Sequence, residues 1–346
     1  MTDTHPQPGL VAEAFAGAQA LGIHPLAIDT PFGVGTVNTY LIEDDPLTLV
    51  DCGPNTATAL DQLESLLTAR GRRITDLEQV VVTHQHADHM GLAGTVARRS
   101  GAELVTLDRL APLAADWETV QIQSDDDARA LMLRHGVEPH VAEALRAVAN
   151  ITRSFAASAS VDRTVSDGGE LQLAERTFEV FHRPGHSPSD TVLYDRANRI
   201  AILGDHLIRH ISSNAVIDRP LDRPLSEPIT VRPEPLLEYR RSLRATRELD
   251  FDVGLTGHGL PVTDHVELIG KRLRAHEHRA ETMYKLLADG PRSAHELATL
   301  RWGGRVAVTQ AFLTLSEVLG HLGMLLEDGR IIEDRSADVI VFEQAA

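Results

Sequence analysis

The stretch Val80-Val81-Val82-Thr83-His84-Gln85-His86-Ala87-Asp88-His89-Met90-Gly91 runs an apolar segment straight into three imidazoles and a carboxylate. Three successive valines read as a buried strand, and the cluster after them reads as a metal site at the strand's end. Imidazole nitrogen and carboxylate oxygen suit borderline divalent ions such as zinc, manganese or iron. A spacing of two keeps His84 and His86 on one side of an extended backbone. Asp88 and His89 fall in the turn beyond, where they can face a second ion.

Three later positions supply what such a site still lacks. His186 lies in Arg183-Pro184-Gly185-His186-Ser187, Asp205 follows Ile200-Ala201-Ile202-Leu203-Gly204, and His258 stands in Thr256-Gly257-His258-Gly259. Each ends an apolar run at a glycine-containing turn, which lets the backbone come close to a crowded ion. Singly each is a turn residue; with the first cluster they form one constellation.

The ordered set His84-x-His86-x-Asp88-His89, His186, Asp205, His258 resembles the metallo-β-lactamase superfamily in its two-metal hydrolase branch, over roughly the first three quarters of the chain. The resemblance implies that His84, His86 and His186 hold one divalent ion and Asp88, His89 and His258 the other, with Asp205 bridging. Zinc is the expected metal, manganese or iron the alternatives. Val50-Asp51-Cys52-Gly53 is similar to the family's strand-ending Asp-Thr-Gly, which implies that Asp51 orients a ligand histidine. Cys52 departs from the usual Thr there; a small buried residue is the expectation, a ligand or nucleophile the alternative. A metal pair lowers the pKa of a shared water from about 16 toward ~7 and polarises a carbonyl or phosphoryl oxygen. The implied reaction is therefore hydrolysis by a metal-bridging hydroxide, with Asp88 and Asp205 at the reacting centre. Of the nearby histidines His182, His206 and His210, the one directly after Asp205, His206, is the expected proton donor to a leaving group.

A length of 346 residues predicts one large domain and a smaller one. With 50 acidic against 33 basic residues, a net charge of −17 argues against a general nucleic-acid or anionic-membrane surface. The single cysteine rules out an intrachain disulfide, and the start Met1-Thr2-Asp3-Thr4-His5-Pro6 has no basic segment leading into an apolar one. No run approaches the ~20 apolar residues of a membrane span. The expected setting is the cytoplasm and the expected partner a small-molecule substrate, with a homodimer contact as a further use of any apolar face.

Strand-like runs at 26–28, 37–42 and 47–50 begin the chain as a meander, and a helix capped by Asn55 or Thr56 carries Leu60, Leu63 and Leu67 on one face. A helix over 91–100 and a strand over 103–107 close the first half. Strands at 171–173, 178–181, 191–194 and 200–203 make a second. Two β-rich halves with helices between them suit an α/β fold, the four-layer αββα sandwich that the resemblance implies for residues 1–262. Residues 108–160 read as a helical insertion, with Leu131, Met132, Val137, Val141, Leu145, Val148 and Ile151 at spacings of three and four. A cover for a sheet edge or a dimer contact weighs evenly against a lid over the substrate. As a lid, its large residues Trp117 and Phe155 set acyl length.

Residues 220–235 hold five prolines and read as an extended crossing near the metal face. A linker helix over 263–290 leads to residues 291–346, which read as two helices and a hairpin turning at Asp328-Gly329, a winged-helix-like unit. Its second helix has no Lys or Arg between Val306 and Leu322, so packing is expected there and nucleic-acid reading is not. The apolar insertion favours an ester or thioester of a small acyl substrate. Lactonases of this kind typically carry Tyr where this chain has Ile208, and the cluster Lys271, Arg272, Arg274 reads as a helix's charged face rather than a glutathione site. Endoribonuclease or other phosphodiesterase chemistry, lactonase, and a mononuclear-iron sulfur dioxygenase are the alternatives on the same fold.

Overall fold

The computed structural model describes residues 8–225, 227, 229 and 231–345. One sheet takes β1 (Ile23–Ile28), β2 (Val37–Ile42), β3 (Thr48–Val50), β4 (Gln79–Val82), β5 (Glu103–Leu107) and β6 (Arg163–Val165) in that spatial order. A second takes β7 (Glu170–Gln172), β8 (Thr177–His182), β9 (Thr191–Asp195), β10 (Ile200–Gly204) and β11 (Val253–Thr256), ordered β11-β10-β9-β8-β7. Against them lie α1 (Pro8–Ala20), α2 (Ala57–Thr68), the single turn α3 (Ala87–Met90), α4 (Ala93–Ser100), α5 (Ala111–Ala115), α6 (Trp117–Arg134), α7 (Pro139–Arg153), α8 (Pro235–Arg247) and α9 (His265–Leu286).

The strands β2, β3, β4, β9 and β10 are buried on both faces, and alternate residues serve different layers. Val81, Val50 and Val105 point inward to meet Phe178, Val180, Leu193 and Ile202 of the other sheet. Their neighbours Val80, Val82, Leu49 and Leu104 point outward onto Leu63 and Leu67 of α2 and Val96 of α4. In the second sheet Val192, Tyr194, Ala201 and Leu203 face outward onto α8 and α9. This is the four-layer αββα sandwich. Thr56 caps α2, its hydroxyl accepting from Ala59 N at 3.1 Å. Helix α1, not expected from the sequence, sends Phe15 into the core between the sheets beside Tyr40.

Strand direction explains where the chemistry collects. β3, β4, β5 and β6 run parallel, so the segments after β3 and β4 leave from one edge. β8 is antiparallel to β9 and β9 to β10, while β10 is parallel to β11, so β8, β10 and β11 share a direction. Their carboxyl ends therefore meet at one edge too, the usual place for a site in such sheets. A register shift between Ile202 and Gly204, with Gly204 at φ +49°, turns the chain toward Asp205.

Residues 108–160 form the crossover from β5 to β6, as α5, α6 and α7. Their apolar stripe is only partly covered: Met132, Val137 and Val141 are buried, whereas Ile122, Val148 and Ile151 are exposed.

The C-terminal part comprises β12 (Arg292–Ser293), α10 (Ala294–Trp302), α11 (Gly304–Thr309), α12 (Ala311–Glu327), β13 (Ile331–Asp334) and β14 (Val341–Gln344), with the strands ordered β12-β14-β13. Ser293 caps α10 in a reciprocal capping box with Glu296. Two expectations need correction. The second helix is broken, α11 ending at Gln310 before α12 starts, which leaves Val308 exposed. Asp328-Gly329 is not the hairpin turn: α12 runs through Leu325-Leu326, and Gly329 at φ +66° ends it, a left-handed stop that follows helices as readily as it joins strands. The hairpin turns instead between Asp334 and Val341. Helix α12 is buried nearly all round, and Leu315, Val318, Leu319 and Leu322 share one core with α8, α9 and the outer face of the second sheet.

Candidate metal centre

Thr83 to His89 leave β4 as a turn and the short α3. His186, Asp205 and His258 arrive from the turns after β8, β10 and β11. Together these segments bring all seven expected donors into contact. His84 Nε2 lies 3.2 Å and His186 Nε2 2.9 Å from His86 Nδ1, one group of three. Asp88, His89 and His258 form another, with His258 Nε2 3.4 Å from Asp88 Oδ2. Asp205 stands between them: Oδ2 is 3.4 Å from His186 Nε2 and 3.3 Å from His258 Nε2, and Oδ1 is 3.4 Å from His89 Nε2. A third grouping, His84, His89 and Asp205, overlaps both and reflects the same central carboxylate.

The outer hydrogen bonds show that these imidazoles are set as ligands. His89 Nδ1 donates to Asp51 Oδ2 at 2.8 Å, His186 Nδ1 to Asn214 O at 3.0 Å, and His258 Nδ1 to Thr36 O at 2.7 Å. Thr83 Oγ1 donates to Asp51 Oδ2 at 2.8 Å and is left to accept from His84 Nδ1 at 3.1 Å. With a proton fixed on Nδ1, each ring turns Nε2 inward, the atom that a metal ion would take. His86 is the exception, offering Nδ1 instead. His89 Nε2 and Asp205 Oδ1 are buried without a hydrogen-bond partner, a costly state that a cation between them would relieve. The donor set and these orphaned atoms fit a pair of divalent ions.

Electrostatics point the same way. Burial, then the neighbouring histidines, hold His84 well below its ordinary value, and burial with His186 lowers His86 to about 3, so both stay neutral. Burial opposes the charge on Asp205, but His89 and His258 keep its carboxyl well below the usual range. Burial likewise disfavours charge on His89, yet Asp205, Asp51 and Asp88 raise its pKa well above the ordinary value. The pocket is built around anionic oxygen.

Asp51 does what its place predicts, and from a left-handed backbone at φ +60°. It accepts from Thr83 N, Thr83 Oγ1 and His89 Nδ1, each at 2.8 Å. Asp51→Asn is expected to lower metal affinity about 10–100-fold, because an amide can serve only part of that set; titration with zinc in a competing chelator reads it. Cys52 is fully buried in the apolar core between the first sheet and α2, and burial pushes its thiol well above the ordinary value.

His206 corrects the expected proton donor. The two residues lie in the turn after β10, closed by His206 N donating to Leu203 O at 3.0 Å, and it parts their side chains: Asp205 faces the donors while His206 is buried against α8. Its Nε2 lies 2.8 Å from Thr246 Oγ1, its ring stands edge-on to Tyr239, and burial lowers its pKa to about 3. His182 bonds Pro188 O at 2.8 Å. His210 lies at the exposed rim against Gly259, beside His258.

Sequence reasoning missed the clamp on Gln85. Its Nε2 donates to Asp218 Oδ2 at 2.8 Å, its Oε1 accepts from Ser189 Oγ, and its backbone N donates to the same hydroxyl at 3.0 Å. Ser124 of α6 also donates to Asp218, at 3.3 Å. Gln85 stands between two ligands, which was its one sequence signal; its partners lie more than a hundred residues away and carried none.

Beside the donors opens a cavity of about 490 Å3, lined by Phe32, Gln85, His86, one face of α6 from Trp117 to Arg134, and residues of α7, the 216–233 crossing and the C-terminal part. Trp117 lines it as expected. Phe155 does not, and packs edge-on against Phe32 at 5.5 Å between ring centres.

Residues 32–258 match the family model described as the metallo-beta-lactamase superfamily. The chain is 30% identical over 318 residues to the Bacillus subtilis (strain 168) protein named "Probable metallo-hydrolase YqjP", covering 92% of this chain and 96% of that one. Among solved structures, a metallo-beta-lactamase family protein from Thermus thermophilus superposes with a TM-score of 0.77 at 25% identity, covering 94% of this chain and 99% of that one. A beta-lactamase domain protein from Burkholderia ambifaria gives 0.78 at 23% identity, covering 94% and 92%, and shares the fold. Among the described residues no helix is long and apolar enough to cross a membrane. The matched span holds every one of the seven converging donors, and the chain belongs to the metallo-β-lactamase superfamily.

Proposed function

We propose that the protein is a dinuclear metal-dependent hydrolase that cleaves an ester or thioester of a small acyl substrate. The observation that carries the reading is Asp205, whose two oxygens face both donor triads at 3.3–3.4 Å, with the donor His86 lining a cavity that has apolar walls at Leu131, Met132, Leu145 and Ile217. Two divalent ions bound there would supply a Lewis acid for the scissile carbonyl and an acidified water. The chain does the positioning. Asp51, Thr36 and Asn214 hold three histidine rings in the required tautomer, and Gln85, Ser189 and Asp218 fix the loop between His84 and His86. Leu131, Met132, Leu145 and Ile217 hold the acyl body and exclude water from it.

Elemental analysis of protein purified without chelator, run beside a panel of thioesters, esters, lactones, phosphodiesters and RNA, tests the reading. Two ions per chain are expected, with turnover of thioester or ester that a chelator abolishes and zinc restores. One tightly held iron with oxygen consumption on a persulfide, or turnover of RNA alone, would overturn it.

A further inference from the structure

The cavity does not stop at its apolar walls. Gln85 and Ser124 share the Asp218 carboxylate, which fixes Ser124 as the point of α6 next to the donors. Arg134 ends the same helix and lines the same cavity, about 15 Å further along by helical rise. There the walls change character. Arg134, Arg232 and Arg335 gather around His135, which is buried and stacked on Phe342. Burial, reinforced by those three guanidiniums, lowers the His135 imidazole to about 3, so the ring adds no charge.

The arginines nearer the donors are already satisfied: Arg146 by Asp126, Arg153 by Asp125 and Arg219 by Asp127. At the far end Arg232 pairs with Glu234 and Arg335 with Glu333, each at 2.8 Å. Arg134, exposed at the mouth of this end, donates to the carbonyls of Ala337 and Asp338 and has no carboxylate partner among the described residues. The far end thus holds three guanidiniums against two carboxylates. Arg232 Nε and His135 Nδ1 are buried there without a hydrogen-bond partner, as are the acceptors Glu234 Oε2 and Glu333 Oε1, and burial raises the Glu234 carboxyl to about 7, which weakens its claim on Arg232. One uncompensated positive charge suits a monoanion such as carboxylate and falls short of a doubly charged phosphate.

We infer that the cavity accepts an acyl chain ending in a carboxylate, its ester end at the metal donors and its anionic end at Arg134, Arg232 and His135. The inference rests on the hydrolase reading in taking this cavity as the acyl site. It places a specificity determinant at the seam between the β5–β6 crossover and the C-terminal part.

Equilibrium binding tests it without turnover. The zinc-loaded protein is titrated calorimetrically with linear dicarboxylates and with monocarboxylates of equal length, from six to sixteen carbons. The dicarboxylate is expected to bind about 10-fold more tightly, from one charge-assisted contact, and only once the chain is long enough to span ~15 Å, at about twelve carbons. Arg134→Gln is expected to bring the ratio near one and Arg134→Lys to keep part of it, the ratio being independent of any general loss of affinity. No preference at any length, or one that survives Arg134→Gln, would sink the inference. A preference at the expected length in a protein that turns over no ester or thioester would keep the anion site and sink the reaction assigned above.

Discussion

Asp205→Asn is expected to lower kcat on any substrate that the protein turns over by about 10^3-fold or more, and to lower the metal bound per chain. An amide has one oxygen where the carboxylate has two, and it carries no charge. Asp205 is the group that reaches His89 from one oxygen and His186 and His258 from the other. Lewis-acid and nucleophile activation by a metal pair supply several kcal/mol of transition-state stabilisation, and about 4 kcal/mol corresponds to 10^3-fold. The fold should persist, because Asp205 lies at the sheet edge and contributes nothing to the three apolar cores. Far-ultraviolet circular dichroism and elemental analysis on the same sample check both halves. Retained two-ion stoichiometry with full activity would remove Asp205 from the bridging position.

Gly257→Ala is expected to be nearly as damaging, although glycine ligates nothing. A methyl on Gly257 would be driven into Asp205 Oδ1 and would stand 2.6 Å from His89 Cε1. Neither neighbour can yield, since His89 is tied to Asp51 and Gly257 N is held by Gly204 O at 2.7 Å. The expected result is loss of at least one ion and of 10^2-fold or more in kcat/KM, about 3 kcal/mol, with the melting curve of the metal-free protein shifted little. Wild-type metal content in the variant would mean that the turn relaxes.

These two positions illustrate what the sequence made legible. The seven donors could be read because each sits where an apolar run ends at a turn, and β8, β10 and β11 then deliver three of them to one edge. Asp51 could be read for the same reason. His206 could not: adjacency to Asp205 suggested a shared role, while the turn after Gly204 sends one side chain to the donors and the other to Thr246. The Asp328-Gly329 pair was ambiguous because a left-handed glycine ends helices and turns hairpins with the same backbone, and only the burial of Leu325 within the shared core decides between them. The two-sided burial of α12 was legible only as an apolar helix without cations; its neighbours come from α8 and α9, distant in sequence. The cavity's polar lining left still less trace, because Asp218 meets Gln85 across 133 residues.

The convergence of the two strand edges has a consequence for the stability of the molecule. His84, His86, Asp88 and His89 leave the first sheet, and His186, Asp205 and His258 leave the second, so any ion held by either triad is a cross-link between halves of the chain. His86 and His186 are separated by 100 residues. Such a contact closes a long loop, whose entropic cost the assembled sheets must offset. Metal occupancy then acts as thermodynamic linkage on the docking of one sheet against the other, since an ion that binds only the assembled edge favours the assembled state in proportion to its concentration.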